Sequence, residues 1–71
     1  MTARTALSER MHALADTGHD RAAELREKAD AFDQATEGFY ALPQTVTVGA
    51  FMGAFARARR LWCNITGEPL V

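Results

Sequence analysis

Apolar residues recur along this chain at three- and four-residue intervals, the spacing of one face of an α-helix, in three separate blocks. In the first, Leu7, Met11 and Leu14 form a stripe with Ala6 and Ala15 beside it. In the second, Ala22, Leu25, Ala29, Phe32, Thr36 and Phe39 fall on one side. In the third, Phe51, Phe55, Ala58, Trp62 and Ile65 do the same. The punctuation between blocks agrees with this reading. Thr2 or Thr5 can cap the first helix, and Gly18 suits its end. Pro43 stops the second, because the residue before a proline avoids helical geometry. Thr45 or Thr47 can cap the third, which Gly67 and Pro69 close.

The pattern predicts helices over residues 4–16, 20–41 and 47–66, with an ordered tail packed through Leu70 or Val71. The expected fold is all-α: a small three-helix bundle, or a helical hairpin with a short N-terminal helix, forming one domain over residues 1–71. Its core should draw on Leu7, Met11, Leu14, Leu25, Phe32, Phe39, Phe51, Phe55, Trp62 and Ile65. Trp62 sits at the centre of the third stripe, so its truncation is expected to unfold the chain. One junction stays open. Thr17-Gly18-His19-Asp20 has capping-box spacing with Asp in place of Glu, so the chain either turns at Gly18 or runs on as one kinked helix.

At 71 residues the chain hides only about 60% of the surface its unfolded form exposes. Small domains of this kind usually need a staple, yet the single cysteine, Cys63, excludes an intramolecular disulfide, and no zinc-type Cys/His spacing is present. Association with a second copy or a larger protein is the remaining way to bury more surface. The lone thiol and the absence of a signal-peptide pattern fit a cytoplasmic protein, and no apolar run approaches the ~20 residues of a membrane span.

Net charge is −1, but it is unevenly spread. Residues 1–15 carry +1, residues 16–40 carry −4 and residues 41–71 carry +2. On the second helix Asp20, Glu24, Glu27, Asp30, Asp33 and Glu37 fan out opposite the apolar stripe. Such a fan is either a solvated face or an acidic docking surface for a basic partner, including one that normally holds nucleic acid. On the third helix the side away from the stripe carries Gly49, Gly53, Ala56, Arg57 and Arg60, with Met52 beside it. Two interior glycines on one face cost helix stability, and close approach of another helix is the physical reason to keep them. Arg57, Arg59 and Arg60 are expected to pair with the acidic helix or to complement the helix end, and direct nucleic-acid binding is disfavoured by the negative total.

Catalytic and metal patterns are absent from the sequence. There is no glycine-rich phosphate loop and no serine elbow. Glu9, His12, Asp16 and His19 share a face only if the first two helices are continuous; both histidines are otherwise expected on exposed surface, and no metal or cofactor is expected. The reading is therefore a non-catalytic protein-binding module: a small regulator, an inhibitor such as a phage-encoded antagonist of a host defence complex, or a dimeric adaptor. The alternative is a helical nucleoprotein accessory subunit that uses Arg57 to Arg60.

Overall fold

Each helix begins where a hydroxyl or a turn can satisfy its free N–H groups. In a computed structural model, which describes residues 4–68, α1 spans Ala6–Asp16, α2 Ala22–Tyr40 and α3 Val48–Thr66. Thr5 caps α1, its hydroxyl accepting from the Ser8 N–H, and Thr47 caps α3 by accepting from Ala50. Gly67 ends α3 in the left-handed region at φ 76°, where its N–H reaches the Cys63 carbonyl. Leu70 and Val71, expected to pack the tail, lie outside the described residues.

The open junction resolves into a turn. Gly18 takes φ 85°, which breaks any continuous helix from α1 to α2. No capping box forms there: Thr17 instead donates its hydroxyl back to the Leu14 carbonyl, and α2 starts at Ala22 behind Arg21, which offers no side-chain cap. His19 takes up part of that role, Nδ1 accepting from the Arg21 N–H.

The topology is antiparallel at both junctions. Thr5 reaches Asp33 and Asp16 reaches Arg26, so α1 runs against α2. Phe39 stacks on Phe51 at 4.7 Å while Phe32 meets Phe55 at 5.3 Å, so α3 returns along α2. Both outer helices pack on α2 and touch each other only lightly, which leaves a flattened body of 37 × 27 × 16 Å. Among the described residues there is no strand.

The centre of the core is made of smaller residues than the stripes predict. Met11, Ala15, Leu25, Ala29, Phe32, Ala58 and Leu61 form the buried cluster, and Ser8 and Ala54 are also buried. Leu7, Leu14, Phe51, Phe55, Trp62 and Ile65 are half-buried and pack around it, and Phe39 is half-buried too. At ~100° per residue the buried centre of α1 is displaced by roughly a quarter turn from the Leu7–Met11–Leu14 stripe, and that of α3 by roughly 50° from its aromatic stripe. Small side chains at the contact lines let helices approach closely, and the rings then fold over the seams.

Trp62 is accordingly a flank, not a centre: its indole N–H donates to Glu68 Oε2 at 2.8 Å at the edge of the body. Leu25, with no exposed surface, holds the central place. Leu25→Ala should cost about 2–5 kcal/mol and unfold much of the population, whereas Trp62→Ala should cost less and leave a folded chain, as thermal denaturation followed by circular dichroism will show.

Two glycines give an opposed pair. A Cβ on Gly38 would lie 2.5 Å from Val46 Cγ2 and 2.7 Å from Thr45 Oγ1, because the loop folds back and Thr45 donates its N–H to the Gly38 carbonyl. A Cβ on Gly49 would meet nothing within 4 Å. Gly38→Ala should lose about 1–3 kcal/mol and Gly49→Ala should gain about 0.5–1 kcal/mol, measurable by urea titration.

Candidate functional site

The acidic fan of α2 does not survive as a uniform row. Glu24 accepts from Arg21 Nε at 3.2 Å and from Nη2 at 2.9 Å, and this hydrogen-bonded pair holds the Glu24 carboxyl below its ordinary range and the guanidinium above its own. Both side chains are about half exposed to solvent, so the pair adds little to stability. Glu27 lies 3.4 Å from Lys28 Nζ. Asp30 Oδ1 is 3.0 Å from His12 Nε2. Asp33 is not on the surface at all: it is buried, and its Oδ1 accepts the Thr5 N–H at 3.0 Å. Asp20 and Glu37 stay exposed with no ion pair among the described residues. The expectation that Asp33 belongs to an exposed docking face is thus corrected. A helix packed by two neighbours buries a wider arc than one apolar stripe suggests, and Asp33 lies in the part that α1 covers.

His12 needs a similar correction. It is not an exposed surface residue; only 6% of it is accessible. Ser8, Met11, His12 and Ala15 have the i, i+3, i+4, i+7 spacing of a buried face. Two of the four are polar, which is why an apolar count passes over them, but small residues at that spacing were the available signal. Together His12, Asp30 and Asp33 bring ligand-capable atoms within 4.8 Å of one another. Glu9, Asp16 and His19 are not part of this group: the turn at Gly18 separates His19, and Asp16 pairs with Arg26 at 3.1 Å.

The outward side of α3 is smooth and then basic, as expected. Gly49 faces open space, while Gly53 lies under the Arg57 guanidinium, whose Nη1 would be 3.4 Å from an added Cβ. Met52, Ala56 and Arg60 are exposed. Met52, Phe55 and Ala56 floor an open groove of about 280 Å³, with Arg59 and Arg60 on its rim and the Arg59 guanidinium 5.8 Å from the Phe55 ring centre. The expected ion pairs with the acidic helix do not form: among the described residues Arg57, Arg59 and Arg60 contact no carboxylate. The charges that look complementary in sequence are not brought within ion-pair distance by the packing of α3 on α2.

A second groove, about 240 Å³, lies where α1 and α3 come near each other, lined by Leu7, Arg10, Phe55, Arg59, Trp62, Cys63 and Glu68. Cys63 is half-buried there. Among the described residues no helix is long and apolar enough to cross a membrane. Comparison with protein families, with curated proteins and with solved structures finds no match to this chain.

The Thr5–Asp33 contact gives a direct test of how α1 is held. Asp33→Ala removes the acceptor for the N–H of Thr5, the residue that caps α1, and should cost about 1–3 kcal/mol. Amide exchange at Ser8 and Glu9 should accelerate well before that of α3.

Proposed function

We propose that the chain is a non-catalytic protein-binding module, a small regulator or inhibitor or a dimerising adaptor, that docks on a larger protein. The observation that carries this reading is the gathering of large exposed apolar side chains where α2 hands over to α3. Tyr40 is 71% exposed, Leu42 95%, Val48 61% and Met52 55%. Val48 and Met52 are one turn apart on α3, and Tyr40 lies edge-on to Phe51 at 6.2 Å. The groove floored by Met52, Phe55 and Ala56 continues the same side of α3 toward Arg59 and Arg60. Exposed apolar groups in one region of a small domain are a usual feature of interaction surfaces, and arginine is enriched at their edges.

We therefore favour a docking edge on α3 and the connecting loop, among Gly49, Met52, Gly53, Arg57 and Arg60, over one on the acidic helix. Asp20, Glu24, Glu27 and Glu37 remain exposed and can steer an approaching basic surface, an effect on association rate more than on affinity. A second reading, nucleic-acid binding, keeps one supporting observation: the three arginines of α3 have no carboxylate neighbour.

The test is affinity capture and reconstitution with the captured protein, combined with sedimentation of the chain alone. Leu42→Asp with Met52→Asp should weaken association by at least about tenfold while the circular dichroism spectrum is unchanged. Glu24→Lys with Glu27→Lys should slow association and leave affinity within about threefold. A monomer that captures nothing overturns the reading. Oligonucleotide binding that disappears in Arg57→Ala with Arg60→Ala replaces it by the second.

A further inference from the structure

We propose that His12, Asp30 and Asp33 form a binding site for a divalent transition-metal ion in the seam between α1 and α2. The three side chains come from two helices that the sequence spacing does not join, and their donor atoms lie within 4.8 Å of one another. His12 Nε2 and Asp30 Oδ1 are 3.0 Å apart, close to the separation of two ligands that stand about 2.0–2.2 Å from a common ion and meet at roughly 90°, as in octahedral coordination. The group spans up to 4.8 Å, beyond the roughly 4.4 Å that two ligands of one ion can span, so Asp33 has to close in to complete the set; its carboxylate is held from outside the set by the Thr5 N–H.

The charge balance of the seam also points to a cation. Asp33 is only 3% exposed and His12 6%; among the described residues His12 is the basic side chain within ion-pair distance of Asp30, and Asp33 has none. A buried carboxylate is ordinarily matched by a positive group, and the N-terminus of α1 supplies only about half a charge. An ion placed between the two carboxylates supplies the remainder. The donor set, one imidazole with two carboxylates, suits Zn²⁺, Mn²⁺, Fe²⁺ or Co²⁺ rather than a thiophilic ion. The side chain of Asp30 is 61% exposed, so it stands at the mouth, where the ion enters and where water fills the remaining positions. On binding, the Nε2–Asp30 hydrogen bond gives way to two metal bonds: the imidazole ligates through unprotonated Nε2, any proton there passing to Nδ1 or to solvent, and the ion sheds the waters that the protein donors replace.

The probes are Zn²⁺ and Co²⁺ alone, added to the chelator-treated full chain. Calorimetry should give one ion per chain with a Kd below about 100 µM. Co²⁺ should develop a visible d–d band, and the imidazole resonances of His12, not those of His19, should move or broaden. Asp30→Asn keeps an acceptor for His12 and sits at the exposed mouth, so it should fold normally and still lose at least about tenfold in affinity. His12→Ala should abolish the Co²⁺ band, and His19→Ala should leave it intact. Zn²⁺ should raise the unfolding temperature of the wild type and not that of Asp30→Asn. Absence of one-to-one binding below about 1 mM overturns the proposal, as does an ion held equally well by the folded Asp30→Asn chain or one that perturbs His19 or Cys63 instead.

Discussion

The fold depends on one row of α2 that both other helices require. Leu25, Ala29 and Phe32 are buried between α1 and α3, and there is no second row to replace them, because α1 and α3 hardly meet. In a closed bundle each helix has two full contacts; here only α2 has. The price of this economy is that loosening α2 releases both partners at once, which makes the chain a single cooperative unit despite its flattened shape.

The two seams along α2 are built by different chemistry. Against α3 the seam is aromatic: Phe32, Phe39, Phe51 and Phe55 stack or tilt on one another over small residues such as Ala54 and Ala58. Against α1 the seam is polar and directional. Asp33 holds the Thr5 N–H, Asp30 holds His12, and Arg26 reaches the Ala15 carbonyl and Asp16 at the far end of α1, where a cation also complements the helix dipole. Hydrogen bonds at both ends fix the register of an 11-residue helix whose apolar contribution alone is small.

This division of labour redistributes the surface that is left for function. The acids of α2 nearest α1 are consumed in holding it, so the most concentrated charge in the sequence contributes less to the exterior than its count suggests. The arginines of α3 have the opposite fate, since among the described residues no carboxylate pairs with them. What faces solvent is therefore an apolar corner around Leu42 and Met52 running into a basic strip, and it is there that the proposed docking edge lies.

The sequence by itself determined the three helices, their order and most of their ends. Hydrophobic period, threonine caps and the glycine at position 67 are local signals, complete within a few residues, and the observed Ala6–Asp16, Ala22–Tyr40 and Val48–Thr66 follow from them. It also marked α3's outward face, because that face is defined by what the helix does not bury. The tertiary structure alone decided which residues lie deepest and which polar groups are enclosed. Depth depends on how closely two axes approach, which favours Ser8, Ala15, Ala54 and Ala58 over larger neighbours that a hydrophobicity count ranks first. The enclosure of His12 and Asp33 depends on a neighbour 18 to 28 residues away in the chain, and no periodicity within one helix carries information about what another helix will cover.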